Sequence, residues 1–287
     1  MTESTEFTTE LSPLDLDLTL GCGQTFRWER LRGGAWRGAV GEQVMEVRRS
    51  GDSIIVKSTR NEAESEPEIL AYLRGQDDLS DIHARLAEDR VLSRGLERVR
   101  GFRLIKMPEW ECLISYVLAT YSNIPRIRKM IDSISERYGH RIAQGAFSFP
   151  DIDALRKASA QELRACGLGY RAEYVASICK TLDAAELERL SRLPYEELRA
   201  DLKTLPGIGD KVADCVSLFG FGRVEAFPVD VWVRRALRRL YSVTGSYETL
   251  RCFAKERFGP LAGYAQEYLF FNERVPAKQG NCMFSGD

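Results

Sequence analysis

The chain has 287 residues, with 41 Lys+Arg against 42 Asp+Glu for a formal charge of −1, so wholesale coating by nucleic acid is disfavoured while a local basic face is not. A hydrophobic content of 44% with 29% charged residues excludes a largely disordered chain, and the length fits about two domains. Every long apolar run is broken by Arg, Lys or Glu well short of a ~20-residue membrane span, and the acidic, polar MTESTEFTTELSP start is neither a secretory signal nor a transit peptide. A cytosolic, nucleoid-associated location is therefore expected.

Residues 14–20, LDLDLTL, alternate between apolar and polar, which predicts a half-buried strand. FRW (26–28), QVMEVRR (43–49) and SIIVKS (53–58) predict further strands, with turns at Gly33-Gly34 and Gly51-Asp52. From about Pro67 the pattern becomes helical. Trp110, Leu113, Val117 and Thr120 mark one helix after Pro108. Ile127, Met130, Ile131 and Ile134 form a single face of the next. Ser159 and Glu162 fit a capping box, and Gly167 and Gly169 break the chain before a helix from about Arg171. The expected fold class is α+β. An antiparallel β-rich domain over residues 1–105 packs on a mostly helical remainder, 106–287.

The seven cysteines (22, 112, 166, 179, 215, 252 and 282) are scattered, with no CxxC pair. Neither a zinc ribbon, an iron–sulfur cluster nor a regular disulfide framework is indicated. With only His83 and His140, a multi-histidine metal site is not expected either.

Residues 205–222, LPGIGDKVADCVSLFGFG, carry the most chemistry. Val212, Cys215, Val216 and Phe219 repeat at helical spacing, so a helix starts near Asp210, with Tyr195–Leu202 as the helix before it. Between them Gly207 and Gly209 can take positive φ and leave N–H groups free beside a helix N-terminus, which suits a phosphate. A plain glycine-rich connector is the alternative. Lys211, in the first turn, is expected to have its pKa lowered by the helix dipole; a neutral amine is a nucleophile that forms Schiff bases, although a solvated lysine is the commoner fate. It shares a face with Cys215. Asp230, in PVDVW, is placed to cap the following helix and equally to stabilise positive charge developing at a sugar carbon. Arg234, Arg235, Arg238 and Arg239 line that helix and meet either phosphates or solvent.

At these residues the chain resembles the 8-oxoguanine DNA glycosylases of the helix–hairpin–helix base-excision superfamily. GCGQTFRW (21–28), SNIPRI (122–127), GLGYRAEYV (167–175), LPGIGDKVADCV (205–216), PVDVW (228–232) and AQEYLF (265–270) occur in the family's order. The resemblance, to a prokaryotic or archaeal member, implies a bifunctional enzyme that excises 8-oxoguanine from duplex DNA and nicks the strand. It implies that Lys211 attacks C1′ and that Asp230 supports the transition state. It further implies that the flipped base lies between Phe270 and Cys215, with Gln266 reading its Watson–Crick edge and the Gly23 carbonyl accepting the N7 hydrogen. Tyr170 would wedge into the stack, with Asn123, Arg126 and Arg171 near the estranged base or backbone. Tyr121 stands where many relatives place an asparagine, which implies altered partner-base recognition, and Trp232 stands where eukaryotic members have a histidine, which implies a changed phosphate contact through an indole N–H. Double-stranded DNA is the implied partner, the protein acting as a monomer without cofactor, metal or membrane. The alternatives are a glycosylase for another lesion, such as an alkylated purine, and a non-catalytic helix–hairpin–helix DNA-binding module.

Overall fold

Two hairpins begin where glycines allow the chain to reverse. β2 (Trp28–Arg30) and β3 (Trp36–Val40) flank Gly33-Gly34, and β4 (Gln43–Ser50) and β5 (Ser53–Ser58) flank the Gly51 turn. The computed structural model describes residues 4–275. In it these strands join an N-terminal strand, β1 (Thr5–Glu10), in a five-stranded antiparallel sheet of order β1-β5-β4-β3-β2. Met45, Val47, Ile54 and Val56 are fully buried on the inner face. Gly38 pairs across from Trp28, and a Cβ there would lie 2.3 Å from the indole. Glycine is required because the ring of Trp28 occupies that side-chain position.

Two expectations for the N-terminal region are corrected. Residues 14–20 do not form a strand: Leu16–Gly21 is helix α1, whose N-cap Asp15 accepts from Leu18 N at 2.9 Å. Leu16 and Leu20 are four apart as well as an even number apart, so the same leucines satisfy a helical face, and the cap decides between them. The strand placed at 26–28 begins instead at Trp28. β1 comes from the polar N-terminal stretch, with Phe7 and Thr9 buried and the residues between them facing outward.

Helix α2 (Glu62–Tyr72) starts five residues before Pro67, capped by Asn61. It is followed by α3 (Leu79–Leu86) and α4 (Arg90–Ser93), capped by Asp78 and Asp89. Buried Arg103 ties this part together by donating to the carbonyls of Pro13, Arg74 and Asp77 at 3.1, 2.8 and 3.2 Å. α5 (Glu109–Leu118) is buried from Glu111 onward and runs through the centre. α6 (Ile124–Tyr138) buries the predicted Ile127, Met130, Ile131 and Ile134 face. A short hairpin, β6 (Arg141–Ala143) with β7 (Ala146–Phe147), interrupts the otherwise helical remainder. α7 (Ile152–Arg156) and α8 (Ala160–Leu163) follow, the latter opened by the Ser159–Glu162 capping box. The chain then turns at Gly167 and Gly169, at φ 85° and 61°, into α9 (Arg171–Thr181). The remaining helices are α10 (Ala184–Arg192), α11 (Tyr195–Leu202), α12 (Asp210–Phe219), α13 (Val231–Tyr241), α14 (Tyr247–Phe258) and α15 (Ala262–Arg274). α12 packs on α5 and α11, and α13 on α15. One continuous core runs from the sheet into the helices. No helix among the described residues is long and apolar enough to cross a membrane.

Candidate active site

The hairpin between α11 and α12 closes through a contact that permits only glycine. At Gly207 φ is 81°, and a Cβ would sit 2.4 Å from the ring of Tyr174. Gly209 is the N-cap of α12 and supplies no side-chain acceptor, so first-turn N–H groups are left for an external one. Open space surrounds the Cβ position of Gly209.

In the first turn of α12, Lys211 lines a cavity of about 570 Å³ bordered by α5, α6, α12, α13, α15 and the loop after α1, a volume suited to a small ligand. Its Nζ lies 5.2 Å from the centroid of the Tyr116 ring. The expected lowering of its pKa is not found. Burial disfavours the ammonium, but a hydrogen bond with the Cys215 sulfur and the Asp230 and Glu267 carboxyls outweigh burial and hold Lys211 above its usual range. The helix dipole is thus overcome by side chains closer to the charge. Burial pushes the Cys215 thiol up to about 12, with Lys211 pulling it back. Cys215 is therefore a neutral thiol at neutral pH.

Asp230 caps α13 as expected, its Oδ1 accepting from Trp232 N at 2.9 Å and Val233 N at 2.8 Å. That bond turns the carboxyl toward the same cavity, where Pro228 and Trp232 also stand. On the opposite wall, Gln266 and Phe270 project from adjacent turns of α15. Gln266 is 3% exposed, and its Oε1 has no hydrogen-bond partner. A buried acceptor left unpaired costs stability, so this atom is poised for a donor from a ligand.

Gly23 completes the wall, at φ 107°. Its loop is held from both sides: Gln24 Nε2 donates to Thr19 O and Arg103 O at 3.2 and 3.0 Å, and Tyr116 Oη donates to Gln24 O at 3.1 Å. The structure thus gathers Gly23, Lys211, Cys215, Asp230, Gln266 and Phe270 around one space. Asn123 lines it too, while capping α6 by accepting from Arg126 N at 3.0 Å.

The other expected site residues lie outside the cavity. Tyr121 is 96% exposed at the loop between α5 and α6, with φ 48°, and Tyr170 is 49% exposed nearby. Arg126 is exposed on the first turn of α6. Arg171 stands differently from Arg126. It is buried, donates to the carbonyls of Thr120 and Tyr121, and stacks 4.6 Å from the Tyr170 ring centroid. It fastens the loop that carries Tyr121. Of the α13 arginines, Arg234 donates to Gly245 O at 2.7 Å, Arg235 lies over Trp232, and Arg239 pairs with Glu273.

Sequence reasoning did not find Tyr116, Glu267 or Arg274, all of which line the cavity. Arg274 falls four residues after Phe270 and eight after Gln266, so helical spacing alone places it on their face. Glu267 offers a different signal, a carboxylate among the apolar residues Tyr264, Ala265, Tyr268 and Leu269.

A helix–hairpin–helix beside a base-sized cavity holding a lysine and a capping aspartate defines the helix–hairpin–helix base-excision DNA glycosylases. Residues 114–260 match the HhH-GPD superfamily base excision DNA repair protein model, and residues 6–113 match the 8-oxoguanine DNA glycosylase N-terminal domain. The N-glycosylase/DNA lyase OGG1 of Arabidopsis thaliana is 31% identical over 93% of this chain and 79% of its own. A probable N-glycosylase/DNA lyase of Methanothermobacter thermautotrophicus is 32% identical over 69% of this chain and 71% of its own. The 8-oxoguanine glycosylase/lyase of Clostridium acetobutylicum, solved with double-stranded DNA containing cytosine opposite 8-oxoguanine, superposes with a TM-score of 0.86 at 32% identity, covering 91% of this chain and 92% of that one. The chain belongs to the 8-oxoguanine DNA glycosylase family.

Proposed function

We propose that the protein binds duplex DNA, turns an 8-oxoguanine nucleotide into the cavity, releases the base and nicks the strand, with Lys211 as nucleophile. The observation that carries this reading is the meeting of Lys211, Asp230 and the unpaired Oε1 of Gln266 around one cavity.

The hairpin at Gly207–Gly209 seats a backbone phosphate on its N–H groups, which fixes register without reading sequence. Extruding a nucleotide costs a few kcal/mol of stacking. Exposed Tyr170 and Tyr121 offset that cost in the duplex, while Asn123 and Arg126 face the strand left behind. Inside the cavity the base lies between the Phe270 ring and the Cys215 thiol. Gln266 Oε1 takes a hydrogen from its Watson–Crick edge. The Gly23 carbonyl accepts the N7 hydrogen of 8-oxoguanine; guanine presents an acceptor at N7, and two facing acceptors cost binding.

Chemistry follows at the sugar. Lys211 Nζ forms a bond to C1′ as the C1′–N9 bond breaks, and Asp230 stabilises the positive charge that develops there. Ring opening gives a Schiff base, whose C2′ proton is acidic enough for β-elimination of the 3′ phosphate, which cuts the strand. One protein copy and one duplex suffice.

The test is a borohydride trap on labelled duplexes carrying 8-oxoguanine opposite each of the four bases. A covalent adduct is expected with wild type and none with Lys211→Gln. Base release by Lys211→Gln at the wild-type rate would remove the lysine from the mechanism.

A further inference from the structure

Beside Lys211 and Asp230 the cavity is lined by a third ionisable side chain, Glu267 of α15, whose carboxyl is pushed up to about 8. It is 5% exposed, on a helix whose neighbouring residues belong to the core. A buried carboxyl without compensation is expensive, and the compensation lies in the groups around it. The groups facing it are Arg274 on its own helix, Lys211 and Cys215 of α12, Asp230 at the start of α13, Tyr116 of α5 and Cys22 after α1, of which only Lys211 and Arg274 carry a compensating positive charge. Burial, then the Asp230 carboxylate, push Glu267 up to about 8, while Gln266, Lys211 and Arg274 pull it back.

Lys211 is held charged in the resting protein, and an ammonium has no lone pair with which to attack C1′. A proton must leave it first. Cys215 is held near 12, and Cys22 and Tyr116 are both raised by burial, so a thiolate or phenolate is not at hand as acceptor. Asp230 has one carboxyl oxygen committed to two backbone N–H groups. Glu267 faces the same space with no backbone N–H to hold.

Building on the glycosylase reading, we propose that Glu267 shuttles a proton from Lys211 to the departing base. The carboxylate first takes one proton from the Lys211 ammonium. The freed Nζ pair forms the bond to C1′, the C1′–N9 pair leaves on the purine, and Glu267 returns the proton to a purine ring nitrogen. The base departs neutral, Glu267 is a carboxylate again, and the new C1′-linked nitrogen carries the remaining charge into ring opening.

The test measures kcat/KM for 8-oxoguanine release across pH for wild type, Glu267→Gln and Glu267→Asp, since this ratio reports groups of the free enzyme. The shuttle needs Glu267 ionised while Lys211 still holds its proton. Wild-type kcat/KM should therefore climb toward pH of about 8 and level off beyond it. In Glu267→Gln the value should fall about a hundredfold and keep climbing with no break there. Glu267→Asp should retain the break with a smaller loss. Wild-type rates in Glu267→Gln overturn the proposal, and so does a uniform loss that leaves the break in place. Wild-type protein that releases no 8-oxoguanine would instead overturn the parent reading, so the two failures are distinguishable.

Discussion

Arg274 Nη1 donates to the carbonyl oxygen of Cys22 at 2.9 Å, while its guanidinium lies 5.4 Å from the centroid of the Phe270 ring. One side chain at the end of α15 therefore joins the stacking wall of the cavity to the loop that presents the Gly23 carbonyl. Arg274→Met keeps much of the apolar stem but removes the donor. Recognition that depends on a single carbonyl is sensitive to its placement. The variant should lose about tenfold in 8-oxoguanine excision, near the ~1.4 kcal/mol of one hydrogen bond. Its activity on abasic duplex should change less, since no base is read. Single-turnover rates on the two substrates check this, and equal losses on both would remove Arg274 from base recognition.

Gly207→Ala tests the hairpin. The added methyl meets the Tyr174 ring at 2.4 Å in a backbone conformation of φ 81°, so strain of about 1–3 kcal/mol is expected. The turn should relax and its N–H groups lose alignment. Weaker binding to undamaged and damaged duplex alike is the expected result, measured by fluorescence anisotropy at fixed salt, because a phosphate seat carries no sequence information. A loss confined to damaged DNA would place the glycine's effect in the base cavity instead.

Lys211, Cys215 and Asp230 were legible because short-range rules place them: a glycine turn, an i,i+4 pair on a helix and a capping aspartate, whereas Gln266 and Phe270 joined them only through the resemblance to the family. The α1 segment was not, because leucines at alternate positions serve a strand and a helical turn equally, and only Asp15 separates the two. β1 was hidden for the opposite reason. Its TEFTTE residues have little apolar signal, and the strand forms by pairing with β5 far along the chain. The charge state of Lys211 and the burial of Arg171 both depend on partners distant in sequence: Glu267 and Asp230 for the lysine, the Thr120 and Tyr121 carbonyls for the arginine. Local arguments assign such residues a position without assigning their partners.

Glu267 also makes a prediction about stability that involves no substrate. Its carboxyl titrates at about 8 in the folded protein, against 4.5 ordinarily. Between those values the folded chain binds more protons than the unfolded chain, so stability falls as pH rises through that window. Glu267→Gln removes the penalty. At ~1.4 kcal/mol per pH unit and ~2–4 °C per kcal/mol for a chain of this size, the variant should melt about 10 °C above wild type at pH of about 8. The difference should shrink toward pH of about 5, where both forms of position 267 are neutral. Thermal melts across that range check it, and a pH-independent difference would mean that Glu267 does not titrate there.

Tyr121 holds a bulky side chain in the left-handed region, φ 48°, with almost all of it exposed. That conformation costs an L-residue about 1–2 kcal/mol, and no packing of the free protein offsets it. The loop is instead kept in place by Arg171 through the Thr120 and Tyr121 carbonyls, which do not depend on the tyrosine side chain. Tyr121→Gly should relieve the strain, partly cancelled by ~0.5–1 kcal/mol of extra entropy in the unfolded chain, leaving the melting temperature unchanged or slightly raised. Under the proposed function excision should nevertheless fall about tenfold or more, because a ring proposed to fill the duplex when the base leaves is lost at ~1–3 kcal/mol per stacked base. Tyr121→Asn, which tolerates the same φ, should also fold normally and should shift the ranking of bases opposite the lesion, since an amide replaces stacking with hydrogen bonding. Melting curves together with excision rates opposite each of the four bases check both variants. Unchanged excision by Tyr121→Gly would leave Tyr170 as the wedge and Tyr121 without a part in opening the duplex.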